Sequence, residues 1–271
     1  MLSQCFFLIF EAQNASRALE GYNDELAKRA LTQSKRLMEE ATELMKQRPQ
    51  RSGNARRNEG NGSMATNLQF YGSTREQKYL DLFTQQIWTA LDRNLNGSIQ
   101  TALDAVPYMK ADYKEKLRPY IAKYQQYIDS LDVQNPYGVP IGTGNWAGAG
   151  AVLSFGTTVC FANLYFPDIV KKQEIYRVAN WLYGCHPYHN YSFVATVGAA
   201  RPKQVFYGNN RADFSAIPGN VAPGVLFRKP DHFENFDDWP FLWGQNEGTI
   251  AGNTQYIIFG SAFKNQVKKN D

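Results

Sequence analysis

Two acids stand nine residues apart in an aromatic stretch, FDDWPFLWGQNEGTIAGNT, which runs from Phe236 to Thr254. They are Asp238 and Glu247. Trp239, Phe241 and Trp243 lie between them, and Asn246 and Asn253 flank the second acid. Aromatic faces beside a few carboxylates and amides suit a sugar. Pyranose rings offer C–H faces to stack and hydroxyls to hydrogen-bond. A glutamate among aromatic rings loses hydration, and that loss favours its protonated form. A carboxyl that holds a proton near neutral pH can act as a general acid. A helix start after an acidic loop, with Asn246 as its N-cap, also accounts for the segment. Both readings can hold, because a capped helix would keep Glu247 rigid.

The spacing resembles the second signature of glycoside hydrolase family 9, the cellulase family of inverting β-glycosidases. That signature places an aromatic, an acid, a second aromatic, Glu, a small residue, Asn and a small residue at set intervals. Phe236, Asp238, Trp243, Glu247, Thr249, Asn253 and Thr254 fill these slots. The resemblance implies that Glu247 donates the proton and that Asp238 is an active-site acid. It further implies an all-α fold, a partial (α/α)6 barrel of helical hairpins with long loops.

Other segments extend the resemblance, most strongly from about Tyr137 onward. Ile217, Pro218, Gly219 and Asn220 match an Ile-Pro-Gly turn of the family. The family's histidine signature ends His-x-Arg; here Asn209, Asn210 and Arg211 stand in its place. The arginine is kept and the histidine is not. Asn can hydrogen-bond a hydroxyl but carries no charge. Arg211 and Asn209 are therefore candidate substrate contacts, with a specificity that departs from an ordinary cellulase. GTGNWAGAG, ending at Gly150, is not preceded by a strand, so it is a poor phosphate cradle. Its glycines let a loop turn before a helix packs. The family carries a Trp-Gly loop near its cleft, so Trp146 is a candidate sugar platform; a Trp buried against the next helix is the alternative. Trp243, Asn246 and Asn253 complete the candidate substrate contacts.

Inverting glycosidases need a second carboxyl, roughly 6.5–9.5 Å from the acid, to activate water. In family 9 it comes from an Asp-x-Gly-Asp motif, which these 271 residues do not contain. The resemblance thus implies that residues 1–271 are the later part of a catalytic domain whose N-terminal part is missing. The alternative is that Asp237 or Asp238 serves as base. A carbohydrate-binding remnant without turnover is the rival function, and a purely structural helical domain is a third.

The elements around these residues read as helices. A helix over 3–18 is apolar nearly all round at its start. The next, capped by Asn23 or Asp24, has Leu26, Ala30, Leu37, Ala41 and Leu44 on one face and charged pairs on the other. Pro49 and the RSGNARRNEGNG stretch end it and read as a solvated loop. Helices follow over about 63–71, 75–91, 94–108 and 112–129, the last weakened or kinked by Pro119. Tyr79, Leu82, Phe83, Ile87 and Leu91 form the stripe of one of them. After the 135–144 loop come an apolar run to Phe166, a helix over 171–184, and a final helix to about Phe263. That last helix is expected to turn Ile250, Ile257, Ile258 and Phe259 inward.

Composition narrows the functional classes. Hydrophobic residues make up 43% and aromatics 14%, enough for a large core and for stacking surfaces. The net charge of +4 owes much to Arg48, Arg51, Arg56 and Arg57, which fit a solvated loop better than a nucleic-acid surface. Cys5, Cys160 and Cys185 form neither a disulfide framework nor a zinc pattern. His186 and His189 are three apart, but Pro187 lies between them and no further ligand is near, so no metal and no cofactor are expected. No apolar run approaches the roughly 20 residues of a membrane span. CFFLIF lacks a positive leader and reads as helix rather than signal peptide, although the family resemblance implies a secreted or periplasmic enzyme. The expected partner is a carbohydrate.

Overall fold

Helix-period patterning governs the chain, and the described residues form ten α-helices, one short 3-10 helix and four two-residue strands. The computed structural model describes residues 2–46, 55–141, 146–185, 190–198, 201–202, 217–224, 227–228, 233–234 and 243–267. The all-α expectation holds. The strands pair only locally: β1 (Tyr191–Ser192) lies parallel to β2 (Arg201–Pro202), and β3 (Phe227–Arg228) antiparallel to β4 (Phe233–Glu234). Two compact units result, Met1–Tyr108 and Met109–Asp271.

In the first unit, α1 (Leu2–Leu19) packs on α2 (Asp24–Lys46) and α3 (Ala55–Thr74). Asn23 caps α2, its Oδ1 accepting from the Leu26 N–H at 3.0 Å. Ile9, Ala41 and Phe70 form a buried cluster, over which Tyr79 stacks on Phe70 at 4.8 Å between ring centres. The buried stripe of α2 differs from the expected one. Leu26 and Leu44 are exposed, whereas Ala27 and Ser34 are inside together with Ala41, which is buried as expected. Small residues there let α1 approach closely, and Gln13 Nε2 donates to Ser34 Oγ at 2.5 Å. Arg17 ties α1 to the last turns of α3. Its Nη1 donates to the Gln69 carbonyl (3.1 Å) and to Ser73 Oγ (2.7 Å).

α3 begins eight residues before the expected start at Ser63, inside the stretch read as loop. Each glycine in a helix costs only about 1 kcal/mol against alanine, so the glycines weaken a helix here without forbidding it. α4 (Gln77–Arg93) buries Leu80, Phe83, Ile87 and Leu91, while Leu82, expected inside, is exposed. α5 (Leu95–Ala105) starts at Asn94, whose side chain accepts from the Gly97 N–H, and the 3-10 helix Val106–Tyr108 follows it.

Asp104 on α5 is held by burial up to about 6, against an ordinary value of 3.8, although Gln100 Nε2 donates to its Oδ1 at 2.7 Å. A carboxyl whose folded-state pKa is raised binds its proton more tightly folded than unfolded. Stability therefore falls as pH rises from about 4 to about 6, and is level above. Asp104→Asn keeps the acceptor and removes the charge. It is expected to abolish that slope and to raise stability at pH 7 by at most about 3 kcal/mol, less wherever water reaches the oxygens. Denaturant unfolding at pH 4 and pH 7.5 checks this; an unchanged slope in the variant would refute it.

In the second unit, α6 (Ala111–Gln134) turns Tyr113, Leu117, Ile121, Tyr124, Ile128 and Leu131 inward. Tyr124 meets Phe155 of α7 (Ala149–Tyr165) at 6.4 Å. Arg177 of α8 (Gln173–Leu182) pairs with Asp132 of α6 at 2.7 Å and with Glu174 at 2.8 Å. α7 is buried on most of its circumference and packs on α8 and on α10 (Ile250–Val267).

The crossing of α7 and α10 fixes how α10 is rotated. A Cβ at Gly156 would lie 2.8 and 2.9 Å from Phe259 ring carbons and 2.6 Å from Val178, so the three helices meet where α7 has no side chain. Gln266 Nε2 donates to the Cys160 carbonyl at 3.2 Å. Gly150, Gly156 and Cys160 thus face Gln255, Phe259 and Gln266 in the same order, so α7 and α10 run side by side in one direction. Phe259 alone of the four expected apolar residues is inside. Ile250, Ile257 and Ile258 are exposed at 75%, 66% and 48%. Consecutive residues are 100° apart on a helix, so residues 257–259 cannot share one face.

Candidate active site

Glu247 sits between a single helical turn and a long helix. α9 (Trp243–Asn246) precedes it, and the Glu247 N–H donates to the Trp243 carbonyl at 3.2 Å. α10 follows three residues on. Its cap is Thr249, not Asn246: Thr249 Oγ1 accepts from the Gly252 N–H at 3.0 Å, and its carbonyl accepts from the Asn253 N–H at 3.0 Å. Asn246 has no exposed surface.

Glu247 is half-buried and lines a cavity of about 270 Å³. Trp146 lines the same cavity, with 48% of its surface exposed, so it is not the buried tryptophan that was the alternative. Gly148 and Ala149 at the head of α7, Pro223, and Gln255 of α10 close the remaining walls. The volume is just under the roughly 300–1,000 Å³ of pockets that enclose drug-sized ligands. It suits one ring with its substituents. The lining is largely apolar, with Glu247 its one ionisable side chain among the described residues.

Backbone bonds between loops hold these walls together. The Ala147 N–H donates to the Gly244 carbonyl at 2.9 Å and the Ala149 N–H to the Pro223 carbonyl at 2.7 Å. The Trp146 loop is thereby fastened both to the segment before Glu247 and to the 217–224 turn. That turn is fastened in its own right: Ala222 N–H donates to the Phe193 carbonyl and Ala195 N–H to the Asn220 carbonyl, at 2.8 and 2.9 Å. Beneath it Trp181 and Phe193 pack edge to face, 4.5 Å between centres. Gly148 has φ +85°, a left-handed conformation that glycine adopts without strain, and it starts α7.

Asn253 is engaged with the protein. Its Oδ1 accepts from the Val221 N–H at 2.8 Å and its Nδ2 donates to Asn220 Oδ1 at 2.9 Å. Asn220 in turn lies against Gly248, where a Cβ would come within 2.4 Å of its Oδ1. The residue after Glu247 therefore has no room for a side chain. Asn253 and Asn220 clamp the turn to α10 and so locate Glu247. Asn253→Ala strips two buried polar groups of their partner and is expected to cost about 1–3 kcal/mol. Asn253→Asp keeps the acceptor for Val221 but sets oxygen against Asn220 Oδ1, so it is expected to recover only part of the loss. Thermal unfolding of the two variants checks the order; equal stability of both with the parent would refute the clamp.

Two further groups lie along α7, α8 and α10, outside the cavity lining. Cys160 of α7 is buried, and that burial pushes its thiol up to about 12, so it stays protonated and inert. Tyr183 and Tyr256 share a hydrogen bond of 3.1 Å, and burial first, then that bond, holds the Tyr183 phenol above its usual range.

The structure thus brings together Glu247 and Trp146, which are 101 residues apart in the chain (247 − 146). Trp243, Asn246 and Asn253 are outside this cavity's lining. Trp243 is exposed at 39% beside it in sequence. Asp238, Asn209 and Arg211, with Asp237, His186 and His189, lie outside the described residues. Sequence reasoning did not single out Gln255 or Gly248. The signal for Gln255 was available, since residues 252, 255 and 259 share one helical face. Among the described residues no group of His, Cys, Asp or Glu is arranged to hold a metal ion, and no helix is long and apolar enough to cross a membrane.

No family model matches the sequence, and no curated protein matches it significantly. Solved structures do. A metagenome-derived glycoside hydrolase family 9 endoglucanase aligns at TM-score 0.71 and 16% identity, over 96% of this chain and 52% of its own. An endoglucanase from the termite Nasutitermes takasagoensis aligns at 0.70 and 14%, over 97% and 66%. A cellulase of C. cellulolyticum, solved with cellobiose, aligns at 0.63 and 16%, over 94% and 62%. The parallel run of α7 beside α10 and the paired helices fit a partial (α/α)6 barrel. The chain has the fold of the glycoside hydrolase family 9 endoglucanases and spans about half the length of the first of them.

Proposed function

We propose that the chain is part of an inverting glycoside hydrolase that acts on β-linked glucan or a related oligosaccharide. Residues 1–271 supply the later part of its catalytic barrel. Glu247 is the general acid that protonates the leaving oxygen. Asp238 supports that acid or orients groups around it. Trp146 and Trp243 stack on sugar rings, while Arg211 and Asn209 hydrogen-bond hydroxyls. Asn253 holds the loop that carries the acid, through its bonds to Val221 and Asn220. A secreted or periplasmic location goes with this reading, and the chemistry calls for no organic cofactor.

One observation carries the proposal: Glu247 and the exposed face of Trp146 line the same largely apolar cavity. A carboxyl beside a stacking platform is what leaving-group protonation of a glycoside requires. A non-catalytic carbohydrate-binding role is the second reading, favoured by the lack of Asp-x-Gly-Asp in the sequence. Paired measurements of binding and hydrolysis on cello-oligosaccharides separate the two. Hydrolysis that Glu247→Gln abolishes supports the enzyme. Binding with no turnover in either protein, also when the part of the barrel that carries the second carboxyl is supplied, supports the second reading, and no binding at all overturns both.

A further inference from the structure

We infer that Gln255 is a sugar-recognition residue, its side-chain amide forming the polar wall that reads the hydroxyls of one uncharged pyranose ring held between Glu247 and Trp146. This rests on the reading of the cavity as a saccharide site. The direction of the side chain is dictated by the helix beneath it. Phe259 seated at Gly156, Gln266 bonded to the Cys160 carbonyl and Tyr256 bonded to Tyr183 fix the rotation of α10. Gln255, one turn before Phe259 on the same face, is then aimed at the head of α7. There Gly150 leaves the space it occupies: a Cβ at Gly150 would lie 2.8 Å from Gln255 Oε1.

The amide is half-buried, lines the cavity, and makes no hydrogen bond or ion pair with any described residue. An amide offers two donor hydrogens and an acceptor oxygen, and leaving them unmet in an apolar wall costs free energy. Among the described residues none meets them, and the amide opens on the cavity, where a ligand's hydroxyls can bond it. A hydroxyl both donates and accepts, so two neighbouring hydroxyls of a sugar match one amide. Thr249 and Glu247 are the other polar side chains of the lining, and among the described lining residues there is no cationic group to pair with an anionic ligand. The small, apolar remainder, with Trp146 as a flat face, suits the C–H surfaces of a neutral ring.

Titration calorimetry with cellobiose and cellotetraose on the whole chain tests the assignment. Gln255→Ala is expected to weaken cellotetraose binding roughly tenfold, as for the loss of about one good hydrogen-bond pair. Its thermal midpoint is expected to stay at the parent value, because the amide bonds no described residue. Gln255→Glu is expected to bind more weakly still at pH 7. It should recover toward the parent, measured at the same pH, as the pH falls to 4, where the protonated carboxyl again donates and accepts. A parent protein that binds while Gln255→Ala binds within twofold of it overturns the role of Gln255 and leaves the saccharide reading standing. Absence of pH recovery in Gln255→Glu also overturns it, since a merely structural side chain would show none. A parent that binds neither sugar overturns the saccharide reading and this inference with it.

Discussion

Glu247→Gln is expected to lower the hydrolysis of unactivated cello-oligosaccharides by about 10²–10⁴-fold, the range that a positioned general acid contributes. The amide has the size and shape of the carboxyl, so the walls set by Trp146, Pro223 and Gln255 are unchanged. What is lost is the proton that the leaving oxygen needs as the glycosidic bond breaks. The loss should fall on kcat, with KM changed little, because the interaction is made chiefly in the transition state. An aryl glycoside with a good leaving group needs less protonation and should lose much less. Parallel kinetics on cellotetraose and on a nitrophenyl cellobioside check this. Equal losses on both substrates, or a loss confined to KM, would remove Glu247 from the role of acid and leave it a binding group.

Gly156→Val carries the largest expected effect on stability. The first added carbon would meet Val178 at 2.6 Å and the Phe259 ring at 2.8 and 2.9 Å, and the branch methyls would intrude further. Forcing carbon into a closed contact costs typically 1–3 kcal/mol and occasionally more. Here three helices meet at one point, so about 3 kcal/mol is expected, with a thermal midpoint lower by roughly 10 °C. Relief comes only if α10 moves away from α7, which also displaces Thr249, Gln255 and the loop of Glu247. Saccharide binding should therefore weaken along with stability. Gly150→Ala makes a useful contrast, because its new carbon meets only the mobile end of Gln255, and its stability cost should stay within about 1 kcal/mol. Thermal unfolding of both variants is the measurement; a Gly156→Val protein as stable as its parent would mean that α7 and α10 do not cross so closely.

Between sequence and structure, the locally encoded features carried over well. The helices α4 and α6 and the cap at Asn23 depend on residues within a turn or two of each other, and they are where the sequence places them, although Leu82 of the α4 stripe is exposed. Features that depend on distant partners did not carry over. The glycine-rich stretch before Met64 reads as loop, yet α3 runs from Ala55, because glycine's local preference against helix is only about 1 kcal/mol per residue and does not fix the helix start. Ile250, Ile257, Ile258 and Phe259 look alike in the sequence, and only the fit of Phe259 at Gly156 selects which of them is inside.

The candidate site divides along the same line. By itself the sequence determined the chemistry on offer: a glutamate in an aromatic segment, an Asn one helical turn beyond Thr249, and a Trp-Gly loop far upstream. Residue types and short spacings are covalent facts, and a motif records nothing else. Tertiary structure alone decided that Trp146 and Glu247 share one cavity, that Asn253 faces Val221 and Asn220, and that Gln255 is turned toward Gly150. Those choices are made by hydrogen bonds between loops and by side chains meeting at helix crossings. Neither has a period along the chain, so neither leaves a trace that spacing can reveal.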